Sequence, residues 1–337
     1  MIKNTKKKQL VCGVVGLGVG SKHLETLSLN KLCSVKTICD FDIKKLNFFK
    51  KKYSIKNITK SFDDIINDED INFVCIASYD NYHYEHISKC INSNKNIFIE
   101  KPLCLTLHEF YKLKKLISRK KNIKISSNFV LRTNPFFDKV KNQIQKQKIG
   151  KIYHIEGDYN YGRISKITKG WRGKIPFYSV THGGAIHLLD LLLWITGDDV
   201  FSVTAIGNNI STKFSKFKYD DIVSSLIKLK SGTTAKITSN YSCVMPHNHY
   251  FKIFSDKKTL IYNIDHNLEY KSRNKEISPK KMPNIWKVKD KRKILNSFID
   301  SIIKNKKPIV SIEEVLKVMY VSLKIEQSLK LQKSIKI

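Results

Sequence analysis

The chain of 337 residues is too long for one compact core, so we expect two domains. Its 41% apolar and 27% charged residues are typical of a globular protein. The formal net charge of +33 points to a nucleic-acid or membrane-surface protein, but only six of the 62 basic residues are arginine, the better fork for phosphates and base edges. The lysines are also spread through most predicted helices. We therefore predict no nucleic-acid partner, and no membrane partner because no apolar run of about 18 residues occurs.

The N-terminus has a basic start followed by an apolar stretch, as a signal peptide does. The stretch is rich in glycine and no A-x-A-like cleavage site follows it, so we interpret residues 10–15 as the first strand of the mature protein. The seven cysteines are an odd number without a CxxC pair. They favour a reducing cytoplasm and predict no structural zinc or other metal.

The first third of the chain alternates strand-like runs with amphipathic helices. Near-continuous apolar runs, typical of strands buried on both faces, lie at 10–15, 34–39, 71–78, 95–100 and 123–130. N-capping residues mark the N-termini of the helices between them. They are Asp42, Ser61 and a capping box of Thr106 and Glu109. This alternation predicts an α/β domain over residues 1–127, with a doubly wound parallel sheet of the Rossmann type.

The pattern changes near residue 128. A helix at 135–147, a long strand at 151–162 and a helix at about 183–196 are followed by extended segments at 200–209, 221–242 and 249–263. Two helices, at about 290–304 and 312–331, close the chain, the last with a capping box of Ser311 and Glu314. Strands gathered in sequence predict an α+β domain over residues 128–337, with an open, mostly antiparallel sheet.

Glycines follow the first strand at positions 16, 18 and 20 and open the first helix. Such a turn lets backbone amides approach a pyrophosphate at the helix N-terminus, although the spacing lacks one residue of the GxGxxG pattern and also fits a plain glycine turn. Asp40 ends the second strand, about twenty residues further on, where an acid accepts hydrogen bonds from ribose hydroxyls. An acid repels a 2′-phosphate, so NAD is favoured over NADP. The alternative is that Asp40 caps a turn.

The segment IEKPL ends the fourth strand, at the sheet edge where open α/β sheets bind ligands. Pro102 restricts the backbone of Lys101, which predicts a lysine held in one place and able to exchange a proton in a partly desolvated cleft. The alternative is an ordinary surface lysine. Ser78, Asn81 and His83, which follow the third strand, are candidates to lie along the cofactor, or else are turn and cap residues.

The segment THGGAIHLLD, residues 181–190, places two histidines and an aspartate in an apolar run. In a helix, His187 and Asp190 share one face. They are either buried core residues or part of an active site.

Taken together, GLGVGxxH, Asp40, IASYDNYH, EKP, NFVLRTNPFF, IGKIYHIEGDYNYG and GGAIHLLDLLLWITG resemble the glucose-fructose oxidoreductase / inositol dehydrogenase (Gfo/Idh/MocA) family of NAD(P)-dependent oxidoreductases. The resemblance runs over nearly the whole chain. It implies a Rossmann domain, a second domain with a large open sheet, and assembly into homodimers or homotetramers through that sheet.

The resemblance also implies site residues. Lys101 matches the lysine of the family's EKP motif, which exchanges the proton of the reacting hydroxyl, and His187 and Asp190 match the family's helical motif. The family commonly has an aspartate four residues before the histidine, where this sequence has Gly183. His182 is the nearest polar residue and a candidate for part of that role.

The predicted function is hydride transfer between NAD and a secondary alcohol of a sugar, nucleotide sugar, sugar acid or cyclitol, with Lys101 and His187 as the acid–base pair. The residues expected at the cofactor are Gly16, Gly18, Val19, Gly20, Asp40, Ser78, Asn81, His83, Glu100 and Lys101. Those expected at the substrate are Asn128, Arg132, Tyr159, Tyr161, Arg163, Trp171, Arg172, His182 and Asp190. The basic segment GRISKITKGWRGK points to an anionic substrate. The alternatives are a catalytically idle NAD(H)-binding sensor or scaffold, and a basic nucleic-acid binder.

Overall fold

The computed structural model describes residues 9–263, 265–283 and 292–337. These residues divide into two compact units. The first runs to Asn128 and adds the segment that ends at Leu316, and the second begins at Phe129 and adds Lys317–Ile337.

A six-stranded sheet forms the centre of the first unit. Its strands, all parallel and in the order β3-β2-β1-β4-β5-β6, are Leu10–Val15 (β1), Cys33–Cys39 (β2), Asn57–Thr59 (β3), Phe73–Ile76 (β4), Asn96–Ile99 (β5) and Ile125–Ser127 (β6). Every residue of β4 is buried, as expected for a central parallel strand with helices on both faces. The predicted doubly wound sheet is confirmed, and the order reverses between β1 and β4.

The helices of the first unit are Gly20–Leu29 (α1), Ile43–Tyr53 (α2), Asp63–Ile66 (α3), His83–Asn92 (α4) and Leu107–Arg119 (α5), with a 3-10 turn at Asp80–Tyr82. The predicted caps of α2 and α5 are confirmed, because Asp42 accepts hydrogen bonds from two amides of α2 and Thr106 forms the capping box with Glu109. The predicted cap of α3 is wrong. That helix begins one residue later than expected, with Phe62 rather than Ser61 at the N-cap.

One part of the first unit is absent from the sequence prediction, and another was predicted as a helix but placed in the second domain. Strand β3 has only three residues and pairs at the sheet edge with β2, so it lacks the apolar run of a central strand. The helix Lys293–Lys304 falls within the predicted second domain, but it belongs to the first unit. Its Phe298 ring lies 5.6 Å from Phe73 and 5.8 Å from Phe98. Because Phe298 is buried against these two rings, a helix far along the sequence packs on the first sheet.

A nine-stranded sheet forms the second unit, in the order β14-β13-β12-β11-β7-β10-β9-β8-β15. Its strands are Ile152–Asn160 (β7), Val200–Asn208 (β8), Ile222–Leu229 (β9), Thr234–Asn240 (β10), Asn248–Ser255 (β11), Thr259–Tyr262 (β12), Asn267–Tyr270 (β13), Lys280–Met282 (β14) and Ile335–Lys336 (β15). The pair β7–β10 is parallel and the other pairs are antiparallel. The predicted mostly antiparallel sheet is confirmed, and the short strands β13, β14 and β15 add to it.

Helices cover one face of this second sheet. They are Pro135–Gln145 (α6), Ser165–Thr168 (α7) and Ile186–Thr196 (α8), with 3-10 turns at Val130–Thr133, Trp171–Gly173 and Ile210–Thr212 and a π-helical turn at Thr181–Ala185. Helix α8 packs on β7, where Leu188 lies over Gly157. With Lys293–Lys304 numbered α9, the last helix is Ile312–Leu331 (α10), and its predicted capping box of Ser311 and Glu314 is confirmed.

All seven cysteines are free thiols, and six of them are buried. Burial, together with the negative charges of Asp40 and Asp64, raises the pKa of the Cys39 thiol to about 12, so this thiol stays protonated and unreactive near neutral pH. None of the described helices combines the length and the apolar character needed to cross a membrane.

Candidate active site

The carboxyl ends of the first sheet's strands bring four separate segments to one edge. We call this edge the cofactor edge and define it by Gly16–Gly20, Asp40, Ser78, Glu100 and Lys101. Gly16 has a φ of +82°, and a Cβ there would lie 2.2 Å from the carbonyl oxygen of Ala77. A Cβ on Gly20 would lie 3.0 Å from the Cβ of Ala77, about the shortest distance that two such carbons adopt. These two glycines therefore let the turn after β1 pass close to the end of β4.

The same turn leaves the start of α1 open. No atom of the described residues lies within 4 Å of the place that a Cβ on Gly18 would take. Val19, at the N-cap, is 55% exposed, and no side chain caps the helix. The uncapped amides and the positive end of the helix dipole suit an anion such as a pyrophosphate. The turn thus fits a dinucleotide despite its shortened glycine spacing.

Asp40 connects the end of β2 to the glycine turn. One carboxylate oxygen accepts a hydrogen bond from the amide of Leu17 at 2.6 Å, and the other accepts one from the amide of Asp42 at 2.8 Å. The second bond is the turn-capping role considered above. The first bond holds the negative charge of Asp40 beside the glycine turn, where it acts electrostatically on any ligand bound at the start of α1.

His83 joins the loops that follow β4 and β5. Its Nδ1 lies 2.6 Å from the carbonyl oxygen of Pro102, its Nε2 lies 3.1 Å from that of Ser78, and the side chain is only 1% exposed. The buried ring therefore braces the two loops, and the role of His83 at the cofactor stays a prediction. Asn81 lies in the 3-10 turn Asp80–Tyr82.

Lys101 follows β5 and is half-buried, and its peptide bond to Pro102 is cis. Glu100 beside it accepts hydrogen bonds from His23 Nε2 and Asn128 Nδ2, both at 2.8 Å. Burial raises the pKa of Glu100, but the hydrogen bond and charge of His23, the charge of Lys101 and the Asn128 amide together bring that pKa below its ordinary value. A fixed carboxylate therefore stands next to Lys101 at the cofactor edge.

The sequence reasoning missed His23 and assigned Asn128 to the substrate. Asn128 donates a hydrogen bond to Glu100 from the end of β6, and its contact with the substrate stays a prediction. His23 is buried on α1, and its ring meets Phe98 of β5 edge-on at 5.2 Å. The sequence does contain a signal for this residue. A histidine three residues after the last glycine of the turn lies one helical turn into α1, on the face that packs against the sheet.

In the second unit, Gly183 and Gly184 let the π-helical turn lie against three members of a group of four tyrosines. We call Tyr159, Tyr161, Tyr178 and Tyr241 the tyrosine cluster. A Cβ on Gly183 would lie 2.1 Å from the Tyr178 hydroxyl and 2.6 Å from that of Tyr241, and a Cβ on Gly184 would lie 2.4 Å from Tyr159. Tyrosine hydroxyls, themselves 3.0 Å apart, therefore fill the space beside position 183.

His187 is half-buried, whereas every other residue from Thr181 to Leu193 is buried. Its ring stacks with that of Tyr159 at 6.4 Å. The rings of His247 and His249 also lie at 5.1 Å and 5.0 Å from Tyr159. Because it is partly exposed and stands beside a polar aromatic cluster, His187 differs from an ordinary core histidine.

Three residues predicted to contact the substrate lie in the interior instead. Arg132 and Asp190 form a bidentate ion pair, with the shortest contact at 2.7 Å and side chains 1% and 0% exposed. His182 is fully buried, and its Nδ1 lies 2.7 Å from the hydroxyl of Ser322 in α10. The side chains that lie beside position 183 are the hydroxyls of Tyr178 and Tyr241. Buried side chains with these partners hold α8 in place.

The other predicted substrate residues gather at the tyrosine cluster. Arg172 donates a hydrogen bond from Nε to the Tyr178 hydroxyl at 3.0 Å and lies 4.6 Å from the ring of Trp171. Arg163 lies 5.4 Å from the ring of Tyr161. Tyr178 and Tyr241 were not predicted, since they come from loops distant in sequence and carry no local motif.

A doubly wound sheet with an open helix N-terminus at its switch point, followed by a large open sheet, defines a dinucleotide-binding protein with a second domain. Residues 10–129 match the model of the oxidoreductase family GFO/IDH/MocA with its NAD-binding Rossmann fold, and residues 137–261 match the GFO/IDH/MocA C-terminal domain. The chain belongs to this oxidoreductase family, as its motifs predict.

Several relatives support this assignment. The chain is 26% identical over 260 residues to the oxidoreductase YrbE of Bacillus subtilis, which covers 74% of this chain and 72% of that protein. It is 25% identical over 253 residues to myo-inositol 2-dehydrogenase of Thermotoga maritima, with 73% and 72% covered. The structure of scyllo-inositol dehydrogenase from Lactobacillus casei with NAD(H) and scyllo-inositol has the same fold, with a TM-score of 0.82 at 20% identity over 98% of this chain and 99% of that one.

Proposed function

We propose that the chain is an NAD-dependent dehydrogenase that oxidises a secondary alcohol of a sugar, sugar acid, nucleotide sugar or cyclitol, or reduces the corresponding ketone. The observation that carries this proposal is the fixed pair at the end of β5, where Lys101 stands beside the Glu100 carboxylate on the same sheet edge as the glycine turn. The family assignment and the inositol dehydrogenases among the relatives support it.

The nicotinamide, when bound, supplies the hydride acceptor for the carbinol carbon. Gly16, Gly18, Val19 and Gly20 would hold the pyrophosphate through backbone amides, because the start of α1 is open. Lys101 takes the hydroxyl proton as the C–H bond breaks and the C=O bond forms, and gives it back in reduction. The second acid–base role is assigned to His187 because it matches the histidine of the family's helical motif.

The preference for NAD over NADP rests on Asp40. Amides of Leu17 and Asp42 hold its carboxylate at the end of β2, so the side chain and its negative charge keep one position. A 2′-phosphate on the adenosine ribose would meet this charge, whereas a ribose with both hydroxyls offers it hydrogen bonds. We expect selection against NADP from this single residue.

We further propose a cytoplasmic homodimer or homotetramer that assembles through the face of the second sheet opposite α8. On that face, Leu226 is 63% exposed and Ile206 is 73% exposed. Ion pairs of Lys236 with Asp158 and Lys252 with Glu156 lie beside these apolar residues, on strands β10, β7 and β11. Exposed apolar residues next to charged pairs suit a protein interface.

The test is a screen of sugars, sugar acids, cyclitols and nucleotide sugars, with NADH formation and NADH affinity measured in parallel. We expect turnover with NAD for at least one class. Tight NADH binding without turnover of any class would instead indicate the catalytically idle sensor. Failure to bind NADH would contradict the reading of the glycine turn.

A further inference from the structure

His23 lies where the helix that begins at the glycine turn meets the end of β5. It stands in α1 three residues after Gly20, and its side chain is only 8% exposed. Its ring centre lies 5.2 Å from that of Phe98, edge-on, so the ring is held against the sheet. From this position Nε2 lies 2.8 Å from Oε1 of Glu100. The helix with the open N-terminus therefore also carries a side chain that contacts the residue before Lys101.

The hydrogen bond runs from the histidine to the carboxylate. An ionised carboxylate carries no proton and can only accept, so Nε2 of His23 is the donor. The amide Nδ2 of Asn128 donates to the same oxygen at 2.8 Å. Hydrogen bonds to a charged acceptor are about twice as strong as those between neutral groups. Two donors that converge on one buried oxygen thus hold Glu100 in a fixed position and favour its ionised form.

These donors also set the charge of Glu100. Burial raises its pKa, and the largest opposing influence is the hydrogen bond of His23, followed by the charges of His23 and Lys101 and by the Asn128 amide. The sum of these influences brings the pKa of Glu100 below its ordinary value. Removal of the His23 donor would leave burial with less opposition, and the neutral carboxyl would gain.

The charge of Glu100 acts in turn on Lys101. After burial and His23, the positive charge of Lys101 is the next influence on the pKa of Glu100. Because this interaction is mutual, the ionised carboxylate favours the protonated amine. The Cys75 thiol of β4 also interacts with Glu100, but burial raises the pKa of Cys75 well above its ordinary value, and Cys33 and Glu100 raise it further. This thiol stays neutral, so Lys101 is the group that responds to the charge of Glu100.

We propose that His23 is a positioning residue for the reaction, because it holds the Glu100 carboxylate ionised and in place beside the lysine that exchanges the substrate proton. This inference rests on the proposed dehydrogenase function. It gives α1 a part in proton transfer besides its part in holding the cofactor. His23 acts only through Glu100 and Lys101 and takes no proton from the substrate itself.

The first test follows Glu100 directly and needs no turnover. The chain is labelled with carbon-13 at glutamate, the Cδ signal of Glu100 is assigned with Glu100→Gln, and its chemical shift is titrated in the native chain and in His23→Phe. Phenylalanine keeps a ring beside Phe98 but donates no hydrogen bond. We expect the midpoint of Glu100 to move to higher pH in His23→Phe. His23→Gln, whose amide can donate, should return it towards the native midpoint.

The second test measures the pH profile of the reaction at saturating NAD. Oxidation needs Lys101 as a neutral base, so kcat/KM should rise with pH to a plateau as the lysine loses its proton. A neutral Glu100 no longer favours the ammonium form. In His23→Phe, kcat/KM near pH 7 should therefore be about tenfold larger as a fraction of its plateau. Glu100→Gln should do the same, and the double variant should match Glu100→Gln alone, because His23 acts through Glu100.

A purely structural role for His23 gives a different result. If the ring only packs α1 on β5, His23→Phe would change the unfolding midpoint or the NADH affinity while the titration of Glu100 and the pH profile stay native. That outcome would overturn the inference, as would shifts of equal size in His23→Gln and His23→Phe. His108→Phe, at an exposed position of α5, is the matched control and should change neither readout.

Failure of the inference and failure of the proposed reaction remain distinguishable. If no substrate is oxidised, the titration of Glu100 still decides whether His23 holds its charge. A native-like titration in His23→Phe overturns the inference even where the chain proves to be an active dehydrogenase.

Discussion

The cofactor edge of the first unit and the tyrosine cluster of the second are built in different ways. At the cofactor edge, each functional residue lies within a few positions of a strand's carboxyl end, and much of the binding surface is backbone. The tyrosine cluster draws on β7 and on the segments after β7, before the π-helical turn and after β10, and its contacts run between side chains distant in sequence. The position of the cofactor edge follows from the topology of the parallel sheet, whereas the tyrosine cluster depends on how distant side chains pack together.

The largest expected effect concerns the buried ion pair of Arg132 and Asp190 in the second unit. Arg132→Met leaves the Asp190 carboxylate buried without its fork, so we expect a loss of about 4 kcal/mol in the free energy of unfolding. Denaturant unfolding measures it. Arg132→Met with Asp190→Leu should recover most of the loss, and Lys304→Met, which breaks the exposed pair with Asp300, should cost less than about 1 kcal/mol.

A stable Arg132→Met variant with a raised KM would contradict this structural role. It would return the pair to the substrate contacts that the sequence predicts.

Replacing one glycine in each region by alanine tests the tyrosine cluster and the cofactor edge separately. Gly183→Ala would press a Cβ onto two buried hydroxyls, and we expect it to destabilise the chain by about 3 kcal/mol. Gly18→Ala meets no described atom, so its unfolding midpoint should stay near that of the native chain while NADH affinity falls about tenfold or more. Thermal unfolding and NADH titration check both. Loss of stability in Gly18→Ala with NADH affinity unchanged would reverse the comparison.

The pH dependence of stability tests the packing below the cofactor edge. Burial, aided by the neighbouring His83, lowers the pKa of His86 to about 4, from about 6.5 in an unfolded chain. As the pH falls below about 6.5, the unfolded chain binds this proton first, so the folded state should lose about 2 kcal/mol between pH 7 and pH 5. His86→Phe keeps the ring stacked on Phe62 and should remove that loss. His108→Phe, at an exposed position of α5, should not.

The smallest expected effect concerns cofactor choice. Asp40→Ser should reduce the preference for NAD over NADP by about tenfold, since it removes the charge that opposes the 2′-phosphate. The ratio of the two dissociation constants measures it. Asp42→Ser makes the same change of charge at the exposed cap of α2 and should leave that ratio unaltered. Equal ratios for the native chain and Asp40→Ser would remove Asp40 from the account.

The sequence predicted the cofactor edge better than the tyrosine cluster, and the reason is physical. Gly16, Asp40 and Lys101 follow apolar runs whose parallel pairing brings their ends together, so spacing alone locates them. His182 and Asp190 were assigned to the substrate because a polar residue in an apolar helix has two interpretations, and Arg132 because arginine can hold an anionic group. Only the partners Ser322 and Arg132 show which one applies. The return of α9 to the first unit likewise depends on Phe298 meeting Phe73 and Phe98.

The central claim is that Lys101 exchanges the substrate proton, and Lys101→Ala tests it most directly. On the substrate found by the screen, kcat should fall by about 10²- to 10⁴-fold while NADH affinity stays within about threefold. Lys112→Ala, at an exposed position of α5, should retain the native kcat. Full turnover by Lys101→Ala with unchanged NADH affinity would contradict the account.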